Sequence, residues 1–216
     1  MKKLIVSMIF IFGLCINCVD VSSCQASSNG RVYAAYRAKI SSINKKWNKI
    51  YSDWNLCGTN YFAYHDFNDD GIKELIIVRR NNEKNKNTTK VGAETDVAIY
   101  TYNKGKVKSV IYSVTGGGTW GRYYFYKDFP YIIEFNRGGY LEKYYDYYKI
   151  SLGKKKKTAS ASCVPVDCND IEKGIIYKVQ GKCVSEKKYN SYVAKMAGKK
   201  FLKAYKITKK NIATCK

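Results

Sequence analysis

Near residue 55 the spacing of apolar side chains in this chain of 216 residues switches from a helical to a strand repeat, and that switch limits the folds open to it. Before it, Tyr36, Ile40, Ile43, Trp47, Ile50 and Trp54 recur at steps of three and four, which predicts an amphipathic helix over 32–54. Its aromatic stripe reads as a core-packing face rather than a binding surface. After it come short runs rich in Tyr, Ile and Val, separated by Gly, Asn and Lys. Antiparallel strands are expected at 61–64, 74–78, 97–102, 107–112, 122–127, 131–136 and 140–151, with 103–106 as a hairpin turn in which Gly105 takes a positive φ. Two prolines in the whole chain leave little to interrupt them.

The segment 79–90, almost wholly Arg, Asn, Lys, Glu and Thr, reads as an exposed loop or hairpin tip. Four lysines at 154–157, followed by Thr-Ala-Ser-Ala-Ser, read as a boundary. Beyond it a strand at 175–179 leads through Gly181 to Ser185, an N-cap with Glu186 in the first turn of a helix that reaches about Met196; a last strand follows at 201–207. The expected fold is α+β. An N-terminal amphipathic helix lies on an antiparallel β-sheet meander of propeller-blade-like hairpins, with a small C-terminal segment that contains a helix. The expected division is 1–26 as signal peptide, 27–156 as the helix plus β domain, and 157–216 as a Lys-rich segment containing cysteines.

The first 26 residues carry Lys2 and Lys3, then an apolar run over 4–16, then small and polar residues to Ala26, the pattern of a secretory signal peptide. The run is short for a membrane span, and Asp20 interrupts its continuation. Cys24 and Ala26 suit cleavage after Ala26, whereas Val21-Ser22-Ser23-Cys24 resembles a lipobox that would place a lipid anchor on Cys24. Secretion and lipid anchoring both put the protein outside the cytoplasm. Five cysteines then remain, Cys57, Cys163, Cys168, Cys183 and Cys215, and two disulfides drawn from the last four are expected, with one thiol left over.

Residues 66–75 read D-F-N-D-D-G-I-K-E-L, and their chemistry points to a hard cation. Calcium takes six to eight oxygens at about 2.3–2.6 Å, and a short loop supplies them by turning alternate side chains inward. Asp66, Asn68 and Asp70 alternate in that way, Gly71 stands where the loop turns sharply, Ile72 offers its carbonyl, and Glu74 adds a carboxylate. One structural Ca2+ held by Asp66, Asn68, Asp70, Ile72 and Glu74 is the expectation. Asn, Asp and Gly also make plain turns, but four of the 17 acidic residues fall within 66–74, where they repel one another unless neutralised. The twelfth position from Asp66 is Ile77, which excludes the EF-hand with its bidentate twelfth-position Glu.

The pattern D-x-[DN]-x-D-G-x-x-[DE]-L, with a strand directly after it, resembles the calcium loops of FG-GAP and VCBS repeats, in which the ninth-position acid closes the cage. The wider layout, with residues 61–75, 99–107 and 179–189 as shared segments, resembles a group of secreted proteins and lipoproteins of Gram-positive bacteria. That resemblance implies an extracellular location and no particular activity.

No Ser-His-Asp order, no Cys-His signature and no carboxylate pair outside the loop stands out, so no catalytic residue is assigned. His65, the sole histidine, is one place out of phase with the loop ligands and reads as structural. A net charge of +22 and 21 tyrosines interleaved with lysine favour contact with polyanions. The expected function is a secreted or surface-attached, calcium-stabilised binding protein whose Lys/Tyr surface meets an anionic cell-wall polymer or glycan. Nucleic acid would be bound without sequence preference, and contact with a membrane would come only through a lipid on Cys24. The alternative is a secreted calcium-dependent hydrolase, for example a nuclease, acting on a polyanion. Nothing in the sequence points to an oligomer.

Overall fold

The computed structural model describes residues 21–80, 86–92, 94–115, 121–138, 141–167 and 170–214, with backbone alone at 21–28 and 171. Helix α1 (Val21–Asp53) precedes β1 (Thr59–His65), β2 (Glu74–Arg80), β3 (Thr88–Val91), β4 (Asp96–Asn103) and β5 (Lys106–Ser113). Then come β6 (Arg122–Tyr124), β7 (Ile132–Asn136), β8 (Lys143–Ser151), β9 (Lys154–Asp167), β10 (Asp170–Val179) and β11 (Lys182–Val184). Helix α2 (Glu186–Lys195), β12 (Leu202–Lys206) and α3 (Lys209–Thr214) complete the order.

The strands build two six-stranded sheets, one ordered β3-β12-β1-β2-β4-β5 and the other β11-β10-β9-β8-β7-β6. Period-two alternation gives the first sheet two buried faces. On one, Phe62, Leu75, Ile77, Ala98 and Tyr100 meet Val32, Tyr36, Ile40, Ile43, Trp47 and Tyr51 of α1. On the other, Tyr61, Ala63, Ile76, Val78, Val97 and Ile99 meet Tyr123, Phe125, Ile132 and Ile150 from the second sheet and the segment after β6. Burying side chains such as Ile76 or Leu75 completely is worth roughly 1.5–3 kcal/mol each. Outside the second sheet lies α2, with Tyr189, Tyr192 and Val193 on Ala161, Cys163 and Tyr177. Ser185 caps α2, its side chain accepting from the Lys188 N–H.

The α+β expectation is overturned: the chain is mostly β, with two antiparallel sheets and three flanking helices among the described residues. The reason lies at 154–167. The lysine run that reads as a boundary is the start of β9, which pairs with β8 from Lys154 to Cys163, and the Thr-Ala-Ser-Ala-Ser stretch continues the same strand. Its alternating small residues look like a linker, yet Ala161 and Cys163 are buried because small side chains let α2 approach the sheet. The expected division at 156/157 falls inside this strand. From the C-terminal segment, β12 enters the first sheet between β3 and β1.

Other departures have local causes. Helix α1 stops at Asp53, where Asn55 at φ 54° turns the chain, so Trp54 is half-exposed and Tyr51 fills the last core position. The polar segment after Val78 is partly strand, and Arg79 is buried there with Nη1 donating to Asn60 Oδ1 at 2.8 Å and its guanidinium 4.0 Å from the Tyr51 ring centroid. Cys163 and Cys183 are free thiols, not disulfide partners. Cys163 lies opposite Tyr177 and Cys183 opposite Lys178, so they occupy opposite faces of the second sheet. Cys57 is also free and exposed, while Cys168 and Cys215 lie outside the described residues. Most of the expected signal peptide, the run 81–85 and the glycine-rich stretch 116–120 lie outside them as well.

Candidate cation loop and the cleft beside it

The hairpin of β1 and β2 ends with His65 paired to Glu74, and 66–73 form its closing loop. Short acidic side chains fold back on their own backbone there. Asp66 Oδ1 accepts from the N–H groups of Asn68 and Asp70, both at 3.3 Å, and Oδ2 accepts from the Gly71 N–H at 2.9 Å. Asn68 Oδ1 accepts from the Asp70 N–H at 3.2 Å, while Asn68 Nδ2 donates to Asp70 Oδ2 at 2.9 Å. Asp70 Oδ1 accepts from the Ile72 N–H at 2.8 Å, and the Ile72 side chain packs against the α1 core. Gly71 sits at φ 81° with nothing near the place a Cβ would take, so conformation rather than crowding calls for glycine.

Glu74 is different, being fully buried. It starts β2, whose alternate residues Ile76 and Val78 face the core between the sheets, so its carboxylate begins inside. Oε2 accepts from the Phe67 N–H at 3.0 Å and Oε1 from Thr101 Oγ1 at 3.2 Å. Among the described residues no Lys or Arg pairs with it. Burial pushes its carboxyl up to about 7, with Asp70 and Asp66 adding to the rise and the two hydrogen bonds opposing it.

The loop therefore gathers Asp66, Asn68, Asp70, the Ile72 carbonyl and Glu74 on one short stretch, an all-oxygen donor set with three carboxylates, which fits calcium chemistry. Its side chains are spread along the backbone N–H groups: among the described residues no three His, Cys, Asp or Glu side chains are drawn together as a metal-holding group. Closing on a cation would exchange the Asp66 and Asp70 bonds for coordination and give Glu74 a positive partner.

A cleft of about 690 Å³ adjoins the loop, walled by Asp66 and Lys73 on the loop side, Lys203 and Tyr205 from β12, Lys127, and Thr214 of α3. His65 also lines it, its ring edge-on to Phe67 at 4.6 Å and hydrogen-bonded to the Phe129 backbone. Burial lowers its pKa, so it serves as a neutral packing group. Elsewhere, lysine amines lie over tyrosine rings at Lys39–Tyr100, Lys46–Tyr112, Lys149–Tyr131 and Lys155–Tyr148, 4.4–5.1 Å from the centroids.

Sequence reasoning missed Thr101, because a threonine in an alternating strand carries no sign that it will meet a carboxylate on the neighbouring strand. It also missed the cleft, whose walls come from sites up to 150 positions apart, Tyr64 to Thr214, and meet only through the placement of β12 and α3. Searches against protein-family models, curated proteins and solved structures find no match to this chain.

Proposed function

We propose that the protein is a calcium-stabilised binding module of the extracellular space, in which one Ca2+ on Asp66, Asn68, Asp70, Ile72 and Glu74 pins the β1–β2 hairpin while the basic Lys/Tyr surface engages an anionic polymer. The observation that carries this reading is Glu74: a fully buried carboxylate with two neutral donors, no basic partner among the described residues and two aspartates close by. Such a group is costly as an anion unless a cation joins it. The net charge of +22 supports the second half of the proposal, since it draws polyanions and repels a second copy of the chain. Lys149 and Lys156, directly opposed on β8 and β9, add a like-charge pair that an anion would relieve.

The experiment is a thermal melt in EGTA and in calcium, run beside retention on an anionic resin over a salt gradient. A calcium-dependent rise in Tm with elution by salt is expected. An unchanged Tm at millimolar calcium, with no metal in the purified protein, would remove the calcium half; flow-through at low salt would remove the polyanion half.

A further inference from the structure

We propose that the cleft between the loop and β12 is a binding site for an acidic saccharide, with the sugar ring stacked on Tyr205 and its anionic group held by Lys73, Lys127 and Lys203. The inference rests on the binding-module reading above and goes beyond it by naming the place and the chemical class.

Three observations converge. First, Lys73, Lys127 and Lys203 approach one cavity from three separate stretches of chain, and none is ion-paired among the described residues. The carboxylate in the wall, Asp66, spends both oxygens on loop N–H groups. Three amines around one concave surface repel each other, and an anion between them reverses that sign. Second, Lys203 and Tyr205 are alternate residues of β12, so they stand side by side on one face while Leu202 and Ala204 enter the core. Tyr205 is 40% exposed, its ring supported by Phe62 at 6.2 Å, and the Lys203 amine lies over the ring 5.5 Å from its centroid, a cap that turns to the anion as the sugar takes its place. A held, half-open phenol ring offers the flat apolar surface on which the C–H face of a sugar packs, and its hydroxyl is available for hydrogen bonding. Third, Thr214 closes the far wall, its hydroxyl donating to the Lys210 and Asn211 carbonyls and keeping its acceptor side for a ligand.

Size and composition separate this ligand from its competitors. About 690 Å³ is far more room than a single oxyanion needs and suits two or three sugar rings. Single-stranded nucleic acid binds on successive stacking aromatics along a groove. Here one well-exposed ring faces the cleft, and the more enclosed Tyr64 ring is packed against Tyr33 and Tyr36. Lys73 is carried by the loop between Ile72 and Glu74, so an ion in the loop would hold the backbone from which one of the three amines extends.

The test is calorimetric titration of the full chain with tetragalacturonate, a heparin tetrasaccharide, maltotetraose, inorganic phosphate and a dT oligonucleotide of equal charge, in calcium and in EGTA. One or both acidic tetrasaccharides should bind at least about tenfold more tightly than the neutral one and than phosphate; which one does so distinguishes carboxylate from sulfate. Lys127→Ala and Lys203→Ala, both on exposed side chains, should each weaken binding about fivefold and lower its salt dependence, with Tm unchanged. Tyr205→Ala should weaken the tetrasaccharide and leave phosphate untouched. Equal binding of maltotetraose, phosphate or the oligonucleotide would overturn the assignment. So would lysine variants that titrate like the parent chain; if those variants still bound the anionic resin, the surface reading would stand and the cleft alone would fall. Loss of the calcium effect on Tm with tetrasaccharide binding intact would separate the loop from the cleft.

Discussion

Thr101 Oγ1 on β4 donates a 3.2 Å hydrogen bond to Glu74 Oε1 on β2, and both residues are buried, so the acid that opens β2 is held from the neighbouring strand as well as from the loop. Removing this donor leaves a buried carboxylate with the Phe67 N–H as its remaining partner. Thr101→Val is expected to cost about 1–3 kcal/mol in calcium-free denaturant unfolding.

Glu74 also sets a pH dependence with a defined sign. Its folded carboxyl is raised to about 7, so the folded chain holds the proton more tightly than the unfolded one. The associated stability is fully present below the ordinary carboxylate range and is lost as pH rises toward 7. In EGTA the Tm should therefore fall between pH 5 and pH 8, with a free-energy loss on the order of 3 kcal/mol. Saturating calcium should oppose the fall, because the ion binds the deprotonated form. Glu74→Gln should flatten the EGTA profile; a slope as steep as that of the parent chain would assign it elsewhere.

Asp70 is exposed and bonded only within its loop, so its loss should be felt through the ion. Asp70→Ala is expected to shift stability in EGTA by less than about 1 kcal/mol. At a hundredfold excess of calcium over its Kd the parent chain should gain about 3 kcal/mol, and the variant most of that gain should lack. Paired melts with and without calcium check the difference.

Arg79 joins α1 to the first sheet. Its Nη1 meets Asn60 and Asn48, which are tied in turn by the Asn60 amide donating to Asn44 and Asn48. Arg79→Ala would open a cavity over Tyr51 and strand the Asn60 carbonyl, at a cost of about 3 kcal/mol. Arg79→Lys keeps the charge but lacks the planar fork, and should recover only part of it in a urea midpoint.

The contact of α2 with the second sheet can be probed at Ala161, which is 3% exposed beneath Tyr189. Ala161→Leu should destabilise by about 1–3 kcal/mol through overpacking, seen as a lower denaturant midpoint with an unchanged slope.

Much of the first sheet was legible in the sequence because its signals are local. The stripe Tyr36, Ile40, Ile43, Trp47 marks its own buried face, and the hairpin around Gly105 carries its turn chemistry, with Lys104 and Gly105 both at positive φ. The second sheet hid behind composition. Lysines 154–157 and the small residues after them look like linker because their partners, β8 along the lysines and β8 with β10 from Ala161 on, are needed to make them strand. The candidate loop residues announce themselves by spacing, whereas the burial of Glu74 beside Thr101 and Phe67 becomes visible only once the sheets are assembled.

The position of β12 has a consequence for how the chain reaches its native state. β3 has β12 as its neighbour within the sheet, and β1 pairs on that flank with β12 as well, Phe62 opposite Tyr205. Until residues 202–206 arrive, one edge of β1 stands bare with Tyr61 and Phe62 on it, while α1 and the β1–β2–β4–β5 pairings are already free to form. Local pairings form faster than long-range ones, so a hydrophobic strand edge is expected to stay open to any passing strand until β12 docks. A chain cut before Leu202 would remain in that state, and aggregation rather than simple unfolding is its expected fate.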